Sequence, residues 1–179
     1  MKLTGEGSLF VKKKYACMII LLGGLFSACG YRFTGGGSLP SGITSVSVEM
    51  FQNRTGETGV EAVITNDVIY EFGRHEQVVV TGSDKADAIL TGVIRSISER
   101  TISHTGEYTS KERRVKVNVD LKLTDRSGRV IWSRKSVSED EAYPVMSEKQ
   151  FAERKKREAI KTLSKRLAET IFNELTADF

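Results

Sequence analysis

Thr44, Val46, Val48 and Met50 alternate with Ser45, Ser47 and Glu49, the period of two that a half-buried strand shows. Gln52-Asn53-Arg54-Thr55-Gly56 interrupts it. Val60, Ile64, Val68 and Phe72, joined by Val63, then recur at helical spacing and predict an amphipathic helix. Thr58 and Glu61 stand at capping-box spacing before it, and Gly73 is placed to end it in a left-handed conformation. Gln77 to Thr81 and Ala88 to Arg100 read as strands. Val115, Val117, Val119, Leu121 and Leu123 alternate with Lys116, Asn118, Asp120 and Lys122, the cleanest strand pattern in the chain. Asp125-Arg126-Ser127-Gly128 predicts a turn into a strand from Val130 to Ser138 that carries Trp132. Ser147 and Gln150 form a second capping-box pair. Ile160, Leu163, Leu167, Ile171 and Leu175 then stripe a helix running almost to the C-terminus.

Helices at either side of a strand-rich middle imply an α+β fold. The expected form is a mixed or antiparallel sheet of about four to five strands with two helices packed on one face. A domain of about 140 residues, 43–179, can bury enough surface to fold alone.

The N-terminus follows a different pattern. Lys12, Lys13 and Lys14 precede an uncharged apolar run from Tyr15 to Phe26. Twelve residues are too short to span ~30 Å of hydrocarbon at ~1.5 Å per residue, but they match the core of a secretory signal. Ser27-Ala28 supplies small residues before a cut. Phe26-Ser27-Ala28-Cys29 resembles the bacterial lipobox, departing from it at Phe26 where Leu or Val is usual. Residues 1–28 are therefore expected to be removed and Cys29 acylated, while Gly30 in place of Asp favours sorting to the outer membrane. Either Met1 or Val11 can be the true start. Thr34 to Gly42, rich in Gly, Ser and Pro, completes a flexible tether over 29–42. Its glycine triplet has neither a preceding strand nor the Gly-Lys-Ser/Thr of a phosphate loop.

Removing that segment changes the charge. The full chain has 27 basic and 23 acidic side chains; residues 1–28 hold four lysines and one glutamate, leaving 23 and 22. Bulk charge thus gives no support to nucleic-acid binding. With Cys17 lost, Cys29 is the single cysteine and no internal disulfide is possible. Residues 95–135 nevertheless carry eleven basic against five acidic side chains. Lys and Arg on a sheet face suit phosphates and carboxylates. The tip segment Lys111-Glu112-Arg113-Arg114 is the best local candidate, and lipopolysaccharide is the abundant polyanion of an outer membrane.

No catalytic constellation can be assembled. His75 and His104 are the only histidines, and neither has a Cys or second His at metal-ligand spacing. Glu139-Asp140-Glu141 reads as solvated acids, and the serines lack a nucleophile-elbow context. The expectation is a non-enzymatic binding or scaffolding protein with no cofactor and no metal.

Several segments, in order, resemble the LptE family of lipopolysaccharide-assembly lipoproteins. They are Cys29-Gly30-Tyr31-Arg32-Phe33, Leu39-Pro40-Ser41-Gly42-Ile43, Phe51-Gln52-Asn53-Arg54-Thr55 and Ala86-Asp87-Ala88-Ile89-Leu90-Thr91-Gly92, followed by the strand-turn-strand from Val117 to Trp132. The resemblance spans 29–179. It implies a lipid-anchored protein on the periplasmic side of the outer membrane, plugging the β-barrel LptD in a 1:1 complex and binding lipopolysaccharide on its way to the outer leaflet. It also implies lipopolysaccharide contacts around the central hairpin and the loop before the last helix, regions that here hold His104, Lys111, Arg113, Arg114 and Lys149. Strand edges and the polar face of Val115–Leu123 are the expected barrel contacts. The alternative is a lipoprotein module of another envelope machine, a pilotin-like secretin helper or a TolB-type amino-terminal domain, which can share this order of elements. A third, an envelope hydrolase, would have to use Glu139, Asp140 and Glu141.

Overall fold

A computed structural model of the chain describes Leu39 and residues 42–102, 111–145 and 148–178. The elements are β1 (Ser45–Val48), β2 (Gln52–Asn53), α1 (Val60–Gly73), β3 (Val79–Val80), β4 (Ala88–Ile102), β5 (Lys111–Asp125), β6 (Val130–Val145) and α2 (Lys149–Ala177). They form one mixed sheet in the order β3-β1-β4-β5-β6, with β2 also paired to β4. The architecture is the expected α+β, with six strands rather than four or five.

The additional strand is β2. It pairs in parallel with Val93 and Ile94 while β1 pairs in parallel with Ala88, Ile89 and Leu90, so the two lie in succession along one side of β4. Between them Phe51 turns inward and is fully buried. Its ring lies on Gly92, where a β-carbon would sit 2.5 Å from ring atoms. Only glycine leaves room there. The Phe51 amide donates to Thr65 Oγ1 at 3.0 Å, and Thr65 donates to the Glu61 carbonyl, tying α1 to this crossing.

Asp87 secures the start of the same strands. Its Oδ2 accepts from the amides and hydroxyls of Thr44 and Ser45 at 2.7–3.1 Å. Arg126 donates to Oδ1 at 2.8 Å and also reaches the carbonyls of Lys85 and Ala86. The Ser45 hydroxyl, then the Thr44 amide, pull the Asp87 carboxyl down to about 2.

The apolar stripes do what their spacing predicts. Val60, Ile64, Val68 and Phe72 of α1 and Ile160, Leu163, Leu167, Ile171 and Leu175 of α2 are all buried against the inward positions of the sheet. Leu39, inside the predicted tether, is buried in the same core. The helix ends differ from expectation. Gly59, left-handed at φ 84°, stands where Thr58 was expected and has no side chain to cap α1, while Glu61 Oε2 accepts from Asn53 Nδ2 at 2.8 Å. Gly73 lies within the helix, and Arg74 follows it in a right-handed conformation. Glu148 precedes α2 without a side-chain cap; Ser147 lies outside the described residues.

β4 and β6 carry bulges at one level, where register shifts between Ile94 and Ser96 of β4 and between Arg134 and Val137 of β6. Asp120 staples them: Arg95 Nε donates to Oδ2 at 2.7 Å and the Ser136 amide to Oδ1 at 3.0 Å. Ser136 sits at φ 60° there, the extra residue of β6.

β6 is the long outer edge. It runs past Ser138 to Val145 because Glu139-Asp140-Glu141 is not a solvated cluster. Arg166 of α2 donates to Glu141 Oε2 at 2.6 Å and to the Asp140 carbonyl, while Thr170 donates to Glu139 at 2.8 Å. Arg114 Nε stands 3.3 Å from Asp140 on the other face.

Two outcomes test this account. Gly92→Ala should lower unfolding free energy by about 1–3 kcal/mol in urea titration, since the Phe51 ring must move. Asp87 titrates in the unfolded chain near 3.9. Because folding depresses its pKa, its contribution is complete above pH ~4 and is lost as pH falls towards 2. Asp87→Asn should flatten that part of the acid-unfolding curve.

Candidate functional site

Among the sequence-predicted site residues, Cys29 and His104 lie outside the described residues, as does the side chain of Lys111. The backbone of Lys111 opens β5 opposite Val145. Arg113, Arg114 and Lys149 lie at the same end of the fold, where β4 ends, β5 begins and α2 starts.

Strand pleating separates Arg113 from Arg114. Arg113 shares the face of Val115, which is covered by helix. There its guanidinium stands 3.6 Å from Glu99 Oε2, which also accepts the Tyr143 hydroxyl at 2.5 Å. Glu99 Oε1 meets Lys156 Nζ at 2.9 Å, and Lys156 meets Glu57 at 2.6 Å. Burial pushes the Glu99 carboxyl up, but hydrogen bonds from Tyr143 and Lys156 outweigh it and hold the group below its ordinary value. Burial and then Glu99 push the Tyr143 phenol up to about 12. Burial alone would lower Lys156; its two carboxylate partners instead hold it above its ordinary value. Arg113 is thus a member of a structural ion network joining α2, β4, β5, β6 and the segment before α1.

Arg114 points the other way, onto the face that carries no helix. Register places Arg100 of β4 directly opposite it, with Ser98 opposite Lys116 in the next row of that face. Like charges directly across a pair of strands repel. Arg114 has Asp140 as a partner, whereas neither Arg100 nor Lys116 forms a salt bridge with a described residue. The three exposed cations Arg100, Arg114 and Lys116 make a row on the open face, with Asp140 of β6 across from Lys116 as its neighbouring carboxylate. Lys149 is exposed in the first turn of α2, which holds no carboxylate. The signal for this grouping was available in the strand period: counting outward from Val115 puts 114 and 116 on the polar side. Pairing with Arg100 required the register, which an intervening bulge displaces.

The remaining basic residues of the central hairpins are mostly paired. Arg95 meets Asp120, Arg126 meets Asp87, Arg129 meets Asp125, and Arg134 meets Glu174. Among the described residues no group of three His, Cys, Asp or Glu could hold a metal ion, and no helix is long and apolar enough to cross a membrane.

The family model for LptE, lipopolysaccharide-assembly, matches residues 43–175. The chain belongs to the LptE family. No curated relative matches its sequence. Among solved structures, the uncharacterized lipoprotein B from Nitrosomonas europaea is similar at 19% identity and a TM-score of 0.56. That alignment covers 83% of this chain and 91% of that one. The rare lipoprotein B from Shewanella oneidensis matches at 10% identity and a TM-score of 0.48, over 75% and 95% of the respective chains. The Nitrosomonas structure shares the LptE-type fold described above.

The geometry predicts opposite effects of one substitution. Arg100→Glu should raise stability by about 0.2–1 kcal/mol in urea titration, by placing an acid opposite Arg114. The same change should weaken retention of a phosphorylated anion, measured by equilibrium binding of purified lipopolysaccharide.

Proposed function

We propose that this LptE-family chain is the lipid-anchored accessory subunit of the lipopolysaccharide translocon. Acylation of Cys29 would hold it on the periplasmic side of the outer membrane. In this reading it plugs and stabilises the LptD barrel as a 1:1 complex and offers passing lipopolysaccharide a cationic surface. It performs no reaction and needs no cofactor.

The observation that carries the lipopolysaccharide part is the open-face row Arg100, Arg114 and Lys116, with Lys149 at the same end. Phosphates are bound well by several cations, Arg through two parallel hydrogen bonds. Arg100 and Arg114 face each other without a carboxylate between them, an arrangement that an incoming phosphate relieves. His104 and Lys111 remain candidates from the sequence alone. Arg113, held by Glu99, contributes to the underlying framework.

The test uses the tagged full chain extracted from membranes in detergent. Mass spectrometry should find a mature N-terminus at an acylated Cys29, with LptD recovered at equal stoichiometry and lipopolysaccharide bound. Arg100→Ala with Arg114→Ala and Lys116→Ala should reduce bound lipopolysaccharide at least tenfold while barrel recovery is kept. A chain still beginning at residue 1 with an unmodified thiol, or recovery of a secretin in place of the barrel, would overturn the reading.

A further inference from the structure

α1 and α2 lie side by side and run in the same direction. Val60 and Val63 of α1 border Arg157, Ile160 and Lys161 of α2 around a cavity of about 130 Å³. Farther along, Asp67, Tyr70 and Arg74 border Lys165 and Glu169 around a second of about 320 Å³. Together they make an outward furrow, and Arg157, Lys161 and Lys165 stand along its α2 wall. All three are exposed, and none forms a salt bridge with a described residue. Like charges four residues apart on a helix repel one another, and Glu153, Glu158 and Glu169 on the same helix offset part of that repulsion. Across the furrow Tyr70 is 71% exposed, with Asp67 and Glu71 beside it, the latter paired with Arg74.

Spacing identifies the occupant. Four residues of helix rise about 6 Å. Alternate residues of a strand, which share one face, are about 6.6–6.8 Å apart. Two steps of the ladder therefore match two steps along a strand to within ~2 Å, well inside the reach of Lys and Arg side chains. Glu153 and Glu169 stand one step beyond each end, giving the order minus, plus, plus, plus, minus. That order fits a bounded row of three carboxylates. It fits an extended anionic lipid surface poorly, and the outer stripe of α2 has no large apolar side chain to insert among lipids.

We propose that the outer α1–α2 face docks against a partner β-strand bearing carboxylates at three successive alternate positions, with Tyr70 packing beside the row. This rests on the barrel reading above, because the inward positions of a barrel strand repeat every second residue and are polar. It makes the helical layer, in addition to the sheet edges, a surface that meets the wall.

The experiment co-expresses the full chain with the barrel and places a photo-crosslinking residue at 157, 161 or 165 in turn. The expected products join the barrel at positions two residues apart on a single strand. Arg157→Glu with Lys161→Glu and Lys165→Glu should reduce recovered complex about tenfold at low salt, less so at high salt where exposed pairs are screened. Reversing the crosslinked carboxylates to lysine should restore it. The milder Arg157→Gln, Lys161→Gln, Lys165→Gln variant, checked by thermal unfolding, should lose an intermediate share. Unchanged recovery with both triple variants, or crosslinks scattered over several strands or onto lipid, would overturn the docking while leaving the barrel reading intact. Failure of the unaltered chain to recover the barrel would overturn both.

Discussion

The crossing of Phe51 over Gly92 is the contact on which the two halves of the sheet depend. On one side lie short parallel strands that need α1 to connect them; on the other lies a long antiparallel meander. The backbone between β1 and β2 leaves the ladder only long enough to bury one ring, and that ring fixes how far β2 advances along β4. Because Thr65 receives the Phe51 amide, the same contact sets the axial position of α1. The position of α1 then determines what it can share with α2, including the edge-to-face packing of Phe72 on Phe172 at 5.2 Å and the stack of His75 on Phe172 at 3.7 Å. A small residue in one strand thus governs the geometry of the helical layer.

Charge is organised by face. Beneath the helices, Glu57, Glu99 and Lys156 neutralise one another in a place where an unpaired charge would be costly. At the level of the bulges, Asp120 gathers a cation and a backbone amide. Cations that form no salt bridge with a described residue, Arg100 and Lys116 on the open sheet face and Arg157, Lys161 and Lys165 on the outer stripe of α2, are exposed. This distribution, more than the nearly balanced net charge, distinguishes structural arginines from those available for binding. Arg113 and Arg114 each have one carboxylate, on opposite faces: Glu99 ties the first to the network under α2, while the second pairs with Asp140 on the face that carries no helix.

The chain made its long elements legible and its short or charged ones obscure. The stripes of α1 and α2 and the alternation of Val115 to Leu123 were readable because burial on one side imposes a period. β2 was not, since Gln52 and Asn53 are polar and two residues carry no period; what locates them is Phe51, whose partner is forty-one positions away. The end of β6 was hidden by Glu139-Asp140-Glu141, whose strand conformation depends on Arg166 and Thr170 from a distant helix. The start of α2 at Lys149 was marked only by the Ser147 and Gln150 pair, as its first ten residues are too charged to show a stripe. The capping-box reading of Thr58 and Glu61 failed because Gly59, not Thr58, heads α1, one residue too close to Glu61 for the reciprocal pair. For the site, the strand period separates Arg113 from Arg114, but the bulge at Arg95 conceals which residue stands across from Arg114.

The outer margin of β6 is a border that the fold itself partly closes. Sixteen residues of extended chain at a sheet border form a template on which another extended chain can assemble. Arg166 occupies part of that template by taking the Asp140 carbonyl, and Pro144 has no amide to contribute farther along. Addition of a second extended chain along that border is thereby obstructed at two points of its length.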